Sequence, residues 1–163
     1  WGLFCSGDSR LFQGDHAEAD RYLEESSRVD LPTRTMSLNK PIEARAALRR
    51  GNPDQAMGIL RDHVQQLIET DNLVVGTLAC AEYVNLMVAI GELQEASRLV
   101  GYLEGSSIFS DLAIRTYLGD SISVLADRGD ERCEEGRIFG QSLGNREALA
   151  CIVEALTRLQ GRE

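Results

Sequence analysis

The sequence is poor in the residues and patterns that break helices or build strands. Only three prolines occur in 163 residues and β-branched runs are scarce, while alanine, leucine, glutamate and arginine dominate, which favours helix. No apolar run approaches the roughly 18 residues of a membrane span, and no signal peptide is recognised. The net charge of −9 argues against a nucleic-acid surface, which would need a clustered basic face. We therefore predict an all-α chain with no direct nucleic-acid or membrane contact.

Residues suited to metal or redox chemistry are also few. No two of the four cysteines lie closer than the 18 residues between Cys133 and Cys151, which excludes a CxxC or zinc-knuckle spacing. Free buried thiols are expected, and these suit a reducing cytoplasm. His16 and His63 each neighbour an acid, but no third ligand is suitably spaced, so both are expected at the surface, with partial burial open for His63. We expect no metal site, cofactor or catalytic residue.

What the sequence does contain is a glycine followed by a polar residue, repeated at intervals of 37, 40 and 38 residues. The four steps are Gly14-Asp15, Gly51-Asn52, Gly91-Glu92 and Gly129-Asp130. Such a period indicates an array of helical repeats. Five residues after each glycine stand Ala19, Ala56, Ala96 and, as the exception, Glu134. Nine residues after each stand Leu23, Leu60, Val100 and Ile138, and the spacing of four predicts that both positions share one buried helical face.

The step itself predicts a tight turn between two antiparallel helices. Each glycine is expected to end a helix in the left-handed conformation, which glycine adopts at little cost. The following Asp15, Asn52 or Asp130 is expected to cap the next helix, whereas Glu92 is a poorer cap. Asn52-Pro53 is the clearest case, because proline suits the first helical position.

The pattern predicts one domain over residues 1–163. The expected helices are 1–13, 15–29, 39–50, 53–70, 72–90, 92–104, 109–128, 130–143 and 145–160. They form repeats 1–31, 32–71, 72–107 and 108–144, and the capping helix 145–160 is expected to cover the open end of the last pair. Asn39 is expected to begin the third helix, with Pro41 in its first turn. The chain begins at Trp1, where a helix is already expected, so we expect it to be a piece of a longer polypeptide.

Helix pairs with a small residue five positions after a Gly-Asp turn resemble tetratricopeptide (TPR) repeats. The longer period, the turn ADRGD at 126–130 and the opening LGNREALA at 143–150 are similar to the repeat regions of bacterial signal-transduction ATPases and LuxR-type transcriptional regulators. The resemblance implies a TPR-like helical-hairpin solenoid, a right-handed superhelix of about four helix pairs plus the capping helix. It also implies a non-catalytic, cytoplasmic region that senses an effector or a protein or peptide partner, or another domain of the same polypeptide. No Gly-rich Lys-Ser/Thr loop occurs, so ATPase activity is not implied.

In TPR-like folds the first helices of the pairs line an inner groove, and the resemblance therefore implies groove residues here. Six residues before each glycine stand Asp8, Arg45, Asn85 and Ser123, and two residues before stand Phe12, Arg49, Ala89 and Asp127. Arg45 and Arg49 can clamp a carboxylate together; alternatively, they pair with Glu43 or Asp54. Asn85 can hold a peptide backbone as both donor and acceptor.

A stripe of small residues marks the last repeat, where Gly136, Gly140 and Gly144 are spaced by four. Such a stripe permits close approach of another helix, and we expect packing within the chain, with a dimer contact as the alternative. The alternative function is accordingly a structural homo-oligomerisation module, and a small helical enzyme is a more distant one. The oligomeric state is left open.

Overall fold

The computed structural model describes residues 17–18, 21–22, 25, 33–71, 76–106 and 111–161, with the helical backbone alone for 33–39 and 111–117. These residues are helical or lie in turns and caps, and no strand occurs among them, which confirms the all-α prediction. The seven numbered helices are α1 (Thr33–Arg49), α2 (Pro53–Glu69), α3 (Gly76–Ile90), α4 (Leu93–Gly105), α5 (Asp111–Arg128), α6 (Glu131–Gln141) and α7 (Asn145–Gln160). The Gly14 step lies outside the described residues. None of the described helices is both long and apolar enough to cross a bilayer.

The turns after α1 and α3 follow the predicted glycine mechanism. Gly51 and Gly91 have φ values of 77° and 84°, in the left-handed region. The N–H of Gly51 donates to the carbonyl of Leu48 at 3.0 Å and that of Asn52 to the carbonyl of Ala47 at 3.0 Å, which is the Schellman pattern. The side chain of Asn52 forms no capping bond with α2, so its predicted role as a cap is wrong. The backbone turn and Pro53 define this helix start instead.

The two hairpins α1/α2 and α3/α4 bury the positions that the repeat predicts. Ala56 and Leu60 on α2 are 1% and 0% exposed, and Ala96 and Val100 on α4 are 0% and 4% exposed. Each of these helices packs on the helix before it, and α3 packs on both α1 and α2. Small residues at position five let the paired helices approach, and the larger residues at position nine fill the space between them.

Helix α1 begins earlier than predicted. It starts at Thr33 rather than near Asn39, and Pro41 therefore lies in its interior. Proline has no N–H to donate to the carbonyl four residues back, so one helical hydrogen bond is missing there. The prediction of a start at Asn39 was wrong because it placed this proline in the first turn.

The last step departs from the repeat. Ile138, expected in the core, is 60% exposed, and Glu134 is exposed as well. The buried residues of α6 are instead Cys133, Gly136 and Gly140. The buried position on α6 is thus the fourth residue after the glycine and not the fifth. One residue along a helix corresponds to a rotation of about 100° around its axis. The prediction for Ile138 was therefore wrong, because α6 turns its small residues inward. Gly129 is not among the left-handed glycines, so the predicted left-handed conformation is wrong at this step, although the chain does turn here.

Helix α6 packs chiefly against α4, with backbone close to backbone. A Cβ at Gly140 would lie 1.9 Å from the carbonyl oxygen of Arg98, and one at Gly101 would lie 1.9 Å from that of Arg137. The two helix backbones can therefore approach this closely only because glycines stand at these positions on both helices. Gly144 is not in the contact: it precedes α7, and its N–H donates to the Glu147 carboxylate at 2.8 Å.

Helix α7 folds back along the chain instead of covering the end of α5 and α6. It packs mainly against α2 and α3, with a smaller contact to α4. Leu149 lies over Gly76, where a Cβ would come within 2.9 Å of its Cδ2. Tyr102 donates its hydroxyl to Asn145 at 3.0 Å, and Arg158 binds Glu95 at 2.7 Å. The expected position of this helix was wrong, because its apolar face matches the surface of earlier repeats. The superhelical arrangement stays a prediction.

Candidate functional site

The predicted groove position Arg45 is buried and holds a carboxylate of its own chain. Arg45 is 5% exposed and Glu82, one helix pair later, is 2% exposed. The Arg45 Nε donates to Glu82 Oε1 at 2.9 Å, and its Nη2 contacts the same oxygen. Of the pairings considered from sequence, Glu43 instead binds Lys40 at 2.6 Å. A buried charge requires a partner, so this ion pair joins α1 to α3.

The polar contacts continue from α3 to α5. The Asn85 Nδ2 donates to Glu82 Oε2 at 3.5 Å, and the Ser121 hydroxyl donates to Asn85 Oδ1 at 2.7 Å. Both ends of the Asn85 amide are thus engaged within the chain. Arg45, Glu82, Asn85 and Ser121 form a polar ladder across the first helices of three successive pairs. The ladder uses two of the predicted groove positions for contacts between helices.

The remaining predicted groove residues that fall within the described residues are exposed. Arg49 and Asp127 are exposed near the ends of α1 and α5. Ser123 is exposed, and its hydroxyl donates to the Gly119 carbonyl at 3.0 Å. Asp8 and Phe12 lie outside the described residues. Arg45 and Asn85 thus belong to one polar network, and a role in partner binding stays a prediction for all of these residues.

His63 is buried, contrary to the expected surface position. It is 2% exposed, and neither ring nitrogen has a hydrogen-bond partner among the described residues. Burial, with a smaller contribution from Lys40, lowers the pKa of His63 to about 4. The ring lines a cavity of about 400 Å³ together with Lys40, Asp62 and Gln66. His63 is therefore neutral at pH 7 and makes no charged contribution to this cavity.

A second cavity lies where α6 turns away from α5, and we call it the α4–α5–α6 cavity. Its volume is about 300 Å³. The floor comprises the buried or half-buried apolar residues Val100, Ile122, Leu125 and Cys133, and the exposed Ala126 lies at its edge. Five further lining residues are polar: the buried Ser97 and, at the exposed rim, Glu104, Asp130, Glu134 and Arg137. An apolar floor with polar groups that converge on it is typical of a binding site.

The rim charges are only partly neutralised. Arg137 binds the two carboxylate oxygens of Glu104 at 2.8 and 2.9 Å, and this contact raises the pKa of Arg137. Asp130 accepts from the N–H of Cys133 at 3.1 Å, which lowers the pKa of Asp130 and confirms its predicted role as a cap. Glu134 is 3.8 Å from Arg137. Three carboxylates therefore face one guanidinium.

Two large apolar side chains are exposed on α6, and neither lines this cavity. Ile138 and Phe139 are 60% and 52% exposed. The guanidinium of Arg98 lies 5.5 Å from the centre of the Phe139 ring, within the range of a cation–π contact. Sequence reasoning missed the cavity, although Glu134 marked it by breaking the alanine pattern. The exposure of Ile138 and Phe139 was missed because Ile138 was predicted to be buried.

The described residues contain no cluster of three or more side chains suited to a metal ion. Cys80, Cys133 and Cys151 are free thiols, as expected, and burial raises the pKa values of Cys80 and Cys151. A raised pKa keeps a thiol protonated and poorly nucleophilic. No protein-family model matches the chain, and no curated protein or solved structure matches it.

Proposed function

We propose that this chain is a non-catalytic, helical-repeat interaction region of a cytoplasmic bacterial regulator, in keeping with the resemblance to TPR-like regions of LuxR-type transcriptional regulators. It recognises a protein or peptide partner, or another domain of the same polypeptide, and passes the signal to an output domain. Its partner surface comprises the α4–α5–α6 cavity with Ile138 and Phe139. The cysteines within the described residues are free thiols, which supports a reducing compartment.

The observation that carries this proposal is the exposure of Ile138 and Phe139 on α6, the helix that also forms one wall of the α4–α5–α6 cavity. Isolated exposed apolar residues are common, but two large consecutive ones on a helix that also lines a cavity favour an interaction surface. The predicted groove is a weaker candidate, because Arg45 and Asn85 are bound to Glu82 and Ser121. The surface used for binding is thus expected at the α6 end.

Site-specific photo-crosslinking in living bacteria tests this proposal. A photoreactive phenylalanine analogue is placed at Ile138 and, as the matched control, at Gln65, an exposed residue of α2 that lies outside the α4–α5–α6 cavity. Crosslinks to one defined protein, or to another domain of the same polypeptide, are expected from position 138 only. Equal crosslinking from both positions, or none from either, contradicts the proposed surface.

The same experiment separates the homo-oligomerisation alternative. Gly136 and Gly140 face α4 within the chain, so the stripe that suggested a dimer is already used. Ile138 and Phe139, which are large apolar side chains exposed among the described residues, are then candidates for a dimer contact. Crosslinks from position 138 to a second copy, together with a dimer mass in light scattering that Ile138→Asp abolishes, favour oligomerisation and contradict the partner-binding proposal.

A further inference from the structure

We infer that the α4–α5–α6 cavity receives a lysine or arginine side chain from an apolar-flanked segment of the partner, with Glu134 as the counter-charge. This inference rests on the proposed function, since it names the chemistry of the partner at the same site. The size of the cavity is the first argument. At about 300 Å³ it lies at the lower limit of small-molecule pockets, which suits one anchoring side chain better than a bulky cofactor.

The charge balance of the rim gives the sign of the partner. Arg137 already binds both oxygens of Glu104, and Asp130 is occupied as the cap of α6. The Glu134 carboxylate has only the longer 3.8 Å contact with Arg137, and its side chain is 63% exposed. Among the described residues it accepts no hydrogen bond, so it retains the capacity to bind a cation at the mouth of the cavity.

The floor of the cavity suits the stem of such a side chain. Val100 and Cys133 are 4% and 8% exposed, and Ile122 and Leu125 are half-buried beside them. Lysine and arginine bury their methylene stems along apolar surface while the charged end stays at the rim. An acidic segment would place its carboxylate near Glu104, Asp130 and Glu134, which disfavours it. The net charge of −9 also speeds the approach of a basic partner.

The test uses three amidated tripeptides that differ only in the central residue: leucyl-lysyl-leucine, leucyl-norleucyl-leucine and leucyl-glutamyl-leucine. Each is titrated into the ¹⁵N-labelled chain of residues 1–163, and amide shifts of Val100, Leu125 and Cys133 are followed. The lysyl peptide is expected to bind about 1.5- to fivefold more tightly than the norleucyl peptide, the range typical of an exposed ion pair. The glutamyl peptide is expected to bind most weakly.

Two matched variants assign the preference to one carboxylate. Glu134→Gln removes the charge at the cavity mouth, whereas Glu135→Gln removes the same charge at a neighbouring exposed residue that does not line the cavity. Glu134→Gln is expected to abolish the advantage of the lysyl over the norleucyl peptide, and Glu135→Gln to preserve it. Glu134→Ala, which restores the repeat alanine, should behave as Glu134→Gln does, with circular dichroism showing that each variant is folded.

The outcomes separate this inference from the proposed function. Equal binding of the three peptides, or an equal effect of the two glutamine variants, overturns the role of Glu134. Failure of every peptide to shift the cavity amides overturns the inference as a whole. Either result leaves the crosslinking from Ile138 to decide independently whether this end of the chain binds a partner.

Discussion

The hairpins α1/α2 and α3/α4 and the α5–α6 end contain the same glycine-plus-polar step between their helices, but they fold differently. After Gly51 and Gly91 the chain turns through a left-handed glycine, and the next helix packs on the one before it. After Gly129 the turn uses no left-handed residue, Asp130 caps α6, and α6 packs chiefly on α4. The step therefore determines that the chain turns, but not which face the next helix buries.

The residue five positions after the glycine explains this difference. Ala56 and Ala96 can be buried against the preceding helix, whereas a glutamate without a partner cannot be buried at acceptable cost. Glu134 therefore stays in solvent, and α6 buries Gly136 and Gly140 in its place. The rotation leaves the α4–α5–α6 cavity beside the exposed glutamate. The α5–α6 end is thus the better candidate for recognition. The regular hairpins α1/α2 and α3/α4 form the core against which it packs.

The largest expected difference between the two regions concerns their ion pairs. Arg45→Met leaves the Glu82 carboxylate buried without its main partner, and we expect a loss of about 3–5 kcal/mol in the free energy of unfolding. Arg137→Met breaks the more exposed pair with Glu104 at the α6 end, for which we expect less than about 1 kcal/mol. Urea unfolding of both variants measures this. Equal losses would contradict the assignment of Glu82 to the core.

The regular hairpins should also show a specific acid sensitivity. Because the pKa of His63 is about 4 in the folded chain against an ordinary value of 6.5 for a solvated histidine, the unfolded chain binds the proton first as the pH falls. The free energy of unfolding should therefore decrease between pH 6.5 and pH 4, by about 3 kcal/mol at most.

His63→Leu provides the comparison for this acid sensitivity. The substitution removes the titrating ring from beside Lys40 and should flatten the decrease, with little loss at pH 7, because the ring nitrogens have no partners among the described residues. Urea unfolding at several pH values measures the difference. A decrease of the same size in both proteins would show that His63 is not the group responsible.

Alanine substitutions at two glycines, one in the contact between α6 and α4 and one outside it, should change the stability of the chain in opposite directions. A Cβ at Gly140 would lie 1.9 Å from the Arg98 carbonyl oxygen, whereas one at Gly58 of α2 would meet nothing within 4 Å. We expect Gly140→Ala to destabilise the chain by about 1–3 kcal/mol and Gly58→Ala to stabilise it by about 0.4–1 kcal/mol. Thermal unfolding compares the two, and a stabilising Gly140→Ala would contradict the close approach of α6 to α4.

The parts of the fold that were predicted from sequence depend on local chemistry. The helices, the left-handed Gly51 and Gly91, and the burial of Leu60 and Val100 follow from periodicity and backbone preference. The ladder partner of Arg45 is Glu82, 37 residues away, and no local pattern identifies such a contact. The position of α7 was missed for the same reason, because an apolar helix face does not specify which surface covers it.

The smallest predicted effect compares the two caps. Asp130 accepts a hydrogen bond from the Cys133 N–H, whereas Asn52 makes no side-chain cap. Asp130→Ala should therefore lower the free energy of unfolding by about 1 kcal/mol, while Asn52→Ala should change it by no more than about 0.5 kcal/mol. Urea unfolding above pH 5, where Asp130 is ionised, measures both. A larger loss from Asn52→Ala would mean that the regular hairpins depend on side-chain caps after all, and that glycine and Pro53 do not suffice to start α2.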